Sequence, residues 1–259
     1  MKKTRQPLVV ANWKMNPRTL AEAKELFVGV RKGMRRIDTV TVVVAPPALY
    51  LSDLARLSPS GRIGIGAQSI WPEPTGPHTG EVSAPMAASA GASYVIIGHS
   101  ERRAEGINDA DVHARVRAAI RAKVTPIICV GESDRDDDGG FYSVVEDQLD
   151  RALQGLKKAE AGRLVIAYEP IWSIGTGKTP TVDEINEMRL FIEKCVSTRF
   201  DRATAQKVTS LYGGSVTPTN AAELYQYGGM NGFLVGGASL QAESFLGIIT
   251  AVRDTPPVV

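Results

Sequence analysis

Ala167-Tyr168-Glu169-Pro170-Ile171-Trp172-Ser173-Ile174-Gly175-Thr176-Gly177-Lys178-Thr179 joins two patterns. Residues 164–168 upstream form a short apolar run, and a helical pattern opens downstream near Val182. An apolar run that meets Pro and Gly and then gives way to helical spacing reads as strand, loop, helix. Glu169 then stands where the strand ends, a place from which a carboxylate can reach a ligand. Pro170 stiffens one end of the loop, and Gly175 and Gly177 free the backbone near the other. Residues 170–179 therefore read either as a lid with defined hinges or as an ordinary connection.

The same unit recurs on both sides. Apolar runs rich in β-branched residues occupy 8–11, 39–45, 62–67, 93–97, 125–130, 163–168, 207–212 and 232–235. Helical spacing fills most of the intervals: Leu20, Ala23, Leu26, Phe27, Val30 and Met34 behind Pro17, then Val112, Val116, Ala119 and Ile120, then Val144, Val145, Leu149, Leu153 and Leu156. Strand-helix alternation requires parallel strands, and near-continuous apolar strands require cover on both faces. A closed (β/α)8 barrel with outer helices meets both demands, as does a doubly wound open sheet. The chain has 259 residues, and a barrel of about 250 residues is a standard single-domain solution. No linker interrupts the repeat, so one catalytic domain is expected over 1–259.

Composition narrows the class. With 43% hydrophobic residues, 22% charged residues and a net charge of +2, the chain reads as a soluble globular protein with no nucleic-acid surface. Met1-Lys2-Lys3-Thr4-Arg5 is followed by too short an apolar run for a signal peptide or membrane span, so a cytoplasmic protein is expected. Cys129 and Cys195 lie far apart and read as reduced core thiols, and three histidines make a structural zinc site improbable. The acidic run 134–138, with Arg135 inside it, lacks the spacing of a calcium loop and reads as a solvated turn.

Parallel strands put their C-terminal ends on one face. The first ends in Asn12-Trp13-Lys14, the fourth in Gly98-His99-Ser100-Glu101-Arg102-Arg103, and the sixth in Glu169. The seventh and eighth end in Gly213-Gly214-Ser215 and Gly236-Gly237, ahead of helices expected near Pro218 and Leu240, where backbone N–H groups can cradle an anion. Singly, each residue has a plain structural account. Together they supply a cation, a proton-transfer partner, a base and a phosphate anchor.

These motifs carry a resemblance over nearly the whole chain. Ala11-Asn12-Trp13-Lys14-Met15-Asn16, Ile97-Gly98-His99-Ser100-Glu101-Arg102-Arg103, the 167–179 stretch, Tyr212-Gly213-Gly214-Ser215-Val216 and Leu234-Val235-Gly236-Gly237-Ala238 resemble the triosephosphate isomerase family. The resemblance implies a TIM barrel that interconverts dihydroxyacetone phosphate and glyceraldehyde 3-phosphate without metal or cofactor. It implies Glu169 as base, His99 as neutral electrophile, Lys14 as the cation near the substrate oxygen, Glu101 as its support and Asn12 as a substrate contact. Gly175, Gly214, Ser215, Gly236 and Gly237 would hold the phosphate under a lid at 170–179. It also implies a homodimer through the loop 68–81, which contains Thr75, Gly76, His78 and Thr79. Three departures stand out: Pro77-His78 where a small residue and an aromatic are usual, Ile107 in place of a glutamate that pairs with an arginine at the position of Arg102, and Ala11 for a common glycine. A same-family isomerase of a four-carbon phosphosugar, or a noncatalytic phosphate-binding barrel, would use many of the same residues.

Overall fold

The protein is described by a computed structural model over residues 6–59, 61–136, 138–173 and 179–256. Eight parallel strands close into a barrel in chain order. They are β1 (Leu8–Asn12), β2 (Thr41–Ala45), β3 (Ile63–Ala67), β4 (Tyr94–Ile97), β5 (Thr125–Val130), β6 (Val165–Tyr168), β7 (Thr209–Tyr212) and β8 (Gly232–Val235). Closure is made by β8 against β1, with Leu8 opposite Gly232 and Ala11 opposite Val235. Of the two architectures compatible with strand-helix alternation, the closed one is found.

The two-residue period of the strands sorts their side chains into two separate apolar clusters. Leu8, Val10, Val43, Ile96, Ile127, Val165, Leu211 and Leu234 fill the barrel. Val9, Val42, Val44, Val95, Ile128, Ile166 and Phe233 point outward into the layer between sheet and helices. The helix Leu20–Gly33 buries Ala23, Phe27 and Val30 there. Truncating a fully buried phenylalanine such as Phe27 typically costs about 3–5 kcal/mol.

Helix starts follow local chemistry. Thr19 caps Leu20–Gly33, and reciprocal capping boxes pair Asn108 with Asp111 and Thr181 with Glu184. Each satisfies backbone donors that the first turn leaves open. Two helices begin later than expected. The Thr217 N–H is taken by the Asn220 side chain, which holds a turn ahead of the helix Ala221–Gly228. After β8, a 3-10 turn over Gly237–Leu240 precedes the helix Ala242–Asp254. Among the described residues, no helix is long and apolar enough to cross a membrane.

Two other expectations change. Val144 is exposed although it shares the apolar spacing of its helix. In the acidic turn Asp134, Asp136 and Asp138 are exposed, yet the Arg135 side chain is only 13% exposed. Residues 174–178, which include Gly175 and the centre of the expected lid, lie outside the described residues.

Candidate active site

The C-terminal ends of β1, β4, β6, β7 and β8 open on one cavity of about 510 Å3, whose lining includes Asn12, Lys14, His99, Glu101, Glu169, Gly214, Ser215, Gly236 and Gly237. The strand-end residues Asn12, Lys14, His99, Glu101 and Glu169 and the glycines after β7 and β8 are therefore brought together, while Trp13, Gly98, Arg102 and Arg103 do not line the cavity.

Lys14 is presented by a constrained backbone. Its φ is +52°, a left-handed conformation that lysine adopts at a cost of about 1–3 kcal/mol unless its surroundings fix it. They do. The Lys14 N–H donates to Asn12 Oδ1 at 3.1 Å, and Gln68 Nε2 donates to the carbonyls of Lys14 and Ala45 at 2.8 and 2.9 Å. The Lys14 ammonium then bonds Glu101 Oε1 at 2.7 Å. Burial pulls the Glu101 carboxyl upward, but the hydrogen bond and the charge of Lys14 outweigh it and hold it below its ordinary value.

His99 caps the helix Ser100–Ala104: its Nδ1 accepts the Glu101 N–H at 3.2 Å. A nitrogen that accepts carries no proton, so the ring proton sits on Nε2 and the imidazole is a neutral donor. The Glu101 carboxylate is 3.7 Å from the same Nδ1, too far to compete for it. Nε2 instead faces Glu169 Oε1 at 3.1 Å.

Glu169 is 2% exposed. Its other oxygen accepts the Ser100 N–H at 2.9 Å. Burial is the largest influence and raises its carboxyl above the ordinary range, against the opposing pull of His99, the Ser100 N–H and Lys14. A carboxylate so placed is more basic than one in water. The backbone around it is closely packed: a Cβ on Gly131 would lie 1.7 Å from the Glu169 carbonyl oxygen, and one on Gly213 3.0 Å from its Cγ. Only glycine permits the chain after β5 and β7 to pass this close to Glu169.

The opposite wall is uncharged. Ser215 is exposed beside Gly214, and the turn Gly237–Leu240 starts at the cavity. The first N–H groups of such a turn have no partner within it and suit an anion. Cation, neutral donor, buried carboxylate and anion cup thus surround one space large enough for a small phosphorylated molecule.

A family model described as triosephosphate isomerase matches residues 7–252. The chain is 43% identical to the triosephosphate isomerase of Dinoroseobacter shibae, over 96% of this chain and 99% of that one. It is 42% identical to that of Bradyrhizobium diazoefficiens, over 94% and 96%. The chain belongs to the triosephosphate isomerase family. The crystal structure of triosephosphate isomerase from Bartonella henselae superposes with a TM-score of 0.83 at 37% identity, covering 96% of this chain and 100% of that one. Like the other members of the triosephosphate isomerase family, the chain is an isomerase with a TIM barrel.

Sequence reasoning missed several supports of the site. Gln68 braces Lys14, Ser100 holds Glu169, and Glu132 accepts the Tyr168 hydroxyl at 2.7 Å and the Trp172 indole N–H at 2.8 Å. The one available signal for Glu132 was its place two residues beyond β5, next to the glycine that Glu169 requires. Arg102 pairs with Glu105. His78 stacks on Trp71 with ring centroids 4.5 Å apart and has Glu73 4.0 Å from Nε2.

Proposed function

We propose that Glu169, His99 and Lys14 carry out the interconversion of dihydroxyacetone phosphate and D-glyceraldehyde 3-phosphate through an enediolate. The observation that carries this reading is the convergence of a buried carboxylate, a neutral imidazole and an ammonium, from three strand ends, beside an anion cup. Glu169 takes the proton from the carbon next to the substrate carbonyl. The C–H electron pair becomes the carbon-carbon double bond, and negative charge moves onto the carbonyl oxygen. Lys14 and the His99 Nε2–H stabilise that oxygen. Glu169 returns its proton to the neighbouring carbon, and the remaining hydroxyl proton passes between the two oxygens. Asn12 contacts substrate, Glu101 supports Lys14, and Gly214, Ser215, Gly236 and Gly237, with Gly175, hold the phosphate. A noncatalytic phosphate-binding barrel has no use for a buried base.

The test is a coupled assay in which triose and tetrulose phosphates are compared. Turnover of the triose phosphates is expected to be far greater. Equal or greater turnover of a tetrulose phosphate would replace this reading with a four-carbon isomerase.

We infer a homodimer of single-domain, cytoplasmic catalytic chains, joined through the loop of Thr75, Gly76, His78 and Thr79. Met15, beside Lys14, is 93% exposed and Leu49 is 84% exposed. A groove of about 360 Å3 near Leu49 is lined by Ala48, Gln68, Gly80, Val82 and Arg102. Apolar side chains this exposed next to a groove suit a second copy of the chain. Sedimentation equilibrium of the purified protein should return a mass of two chains.

A further inference from the structure

Arg135 is the half-buried member of the acidic turn, in which Asp134, Asp136 and Asp138 are exposed. Its guanidinium lies over the Phe141 ring at 4.5 Å and 6.0 Å from the Trp172 ring. Three carboxylates surround it: Glu132 at 3.9 Å, Glu184 at 3.8 Å, and Glu187 in a direct bond. Glu187 also accepts the Tyr142 hydroxyl, and Glu184 belongs to the Thr181 cap that opens the helix Val182–Arg199.

Glu132 is the buried member, with its side chain 1% exposed. Its Oε1 fixes the two residues that flank the base in the chain, Tyr168 before Glu169 and Trp172 after it. One terminal nitrogen of Arg135 and the second oxygen of Glu132 are both buried without hydrogen-bond partners. A cation and an anion are thus held side by side out of water, where removing either leaves the other uncompensated.

We propose that Arg135 is a positioning residue: it keeps Glu132 ionised in its dry site, so that one carboxylate oxygen holds Tyr168 and Trp172 on either side of Glu169. The effect on turnover rests on the isomerase reading; the effect on Glu132 does not. The groups facing Glu132 are the Tyr168 hydroxyl from β6, the Trp172 indole from the turn that follows, and Arg135. Behind Arg135 stand Glu184 and Glu187 from Val182–Arg199 and Tyr142 from the helix Gly140–Ala152. Arg135 is the one positive charge among these described residues. Burial pushes the Glu132 carboxyl up, while its hydrogen bonds to Tyr168, its own backbone and Trp172, and the charge of Arg135, pull against that rise. Without Arg135 the rise goes further and the carboxylate takes up a proton at higher pH. A neutral carboxyl gives up the charge-assisted character of both bonds.

Protein labelled with 5-fluorotryptophan tests this by fluorine NMR beside kinetics, the Trp172 resonance being assigned with Trp172→Phe. In Arg135→Met, the Trp172 resonance should titrate, and kcat should fall about tenfold more than in wild type between about pH 8 and about pH 5.5, with KM changing less than about threefold. Arg135→Lys, which keeps the charge but not the planar fork, should titrate at lower pH. Adding Glu132→Gln to Arg135→Met should abolish the titration. If Arg135→Met does not fold, Arg135→Gln, which also removes the charge, carries the same comparison against wild type. Resonance and kcat profiles parallel to wild type, a loss equal at every pH, or a titration that survives Glu132→Gln would overturn the proposal. An inactive wild type with the Trp172 titration present in the variant would remove the isomerase reading and leave the role of Arg135 standing.

Discussion

Glu169 Oε1 lies 3.1 Å from His99 Nε2, so the carboxylate and the neutral donor face one another across the cavity. In the proposed reaction substrate comes between them, because the same Nε2–H serves a substrate oxygen. Glu169→Asp draws the carboxylate back by a methylene. A misplacement of about 1 Å costs roughly 100-fold in the chemical step, so kcat should fall by about that factor while KM stays within about threefold. Steady-state kinetics on both triose phosphates measures this, and unchanged kcat would end the assignment of Glu169 as base.

The buried charge of Glu169 also bears on stability. Its carboxyl is raised in the folded protein, chiefly by burial, so the folded state binds this proton better than the unfolded chain does. The sign is therefore a cost, present above the folded value and absent below the ordinary carboxylate value. Glu169→Gln should raise Tm near neutral pH by about 2–4 °C, the shift that roughly 1 kcal/mol produces in a domain of this size. The gain should shrink as pH falls below the raised folded value and be gone below the ordinary carboxylate value, as calorimetry at several pH values can follow. A gain that persists in acid would show that charge burial is not its source.

Lys14 faces the cavity and its side chain is 40% exposed. Lys14→Met keeps an unbranched side chain in the left-handed backbone and removes the charge. Activity should fall by about 100-fold or more, the scale of losing one electrostatic donor to a developing oxyanion. Far-ultraviolet circular dichroism should be unchanged; a lost native spectrum would make Lys14 a structural residue.

Two glycines of the site should respond differently to the same methyl group. At Gly131 it meets the Glu169 carbonyl oxygen at 1.7 Å, whereas at Gly237 no described atom lies within 4 Å. Gly131→Ala should cost about 1–3 kcal/mol in stability through overpacking and lower kcat by displacing the base. Gly237→Ala should fold normally and raise KM by intruding on the anion cup. Denaturation midpoints with kinetics separate the two, and a KM change at Gly131 without loss of stability would contradict the packing argument.

Much of this was legible in the chain. Apolar runs located all eight strands, because a barrel strand is buried on both faces and its composition shows it. The strand-end residues Asn12, Lys14, His99 and Glu169 were legible because parallel strands share one functional rim. What escaped depended on partners distant in sequence. The Gln68 amide is an unremarkable loop residue until its two carbonyl acceptors are in place. Arg135 misled because its neighbours are acidic and exposed, while its own guanidinium is covered by Phe141 and Trp172 and by carboxylates from another helix. The delayed helix after β7 is the local exception: Asn220, three residues on, claims the Thr217 N–H.

The filled interior of the barrel governs traffic. A second hollow of about 290 Å3 opens at the far mouth, lined in part by Leu8, Thr41, Tyr94 and Val165. Between it and the reactive rim, Val10, Ile96, Ile127 and Leu211 occupy the axis without accessible surface to speak of. The barrel is a cul-de-sac, and substrate and product must use the same doorway in opposite directions. A reversible reaction run through one entrance leaves each triose phosphate competing with the other for the empty cavity, so inhibition by product should be strictly competitive.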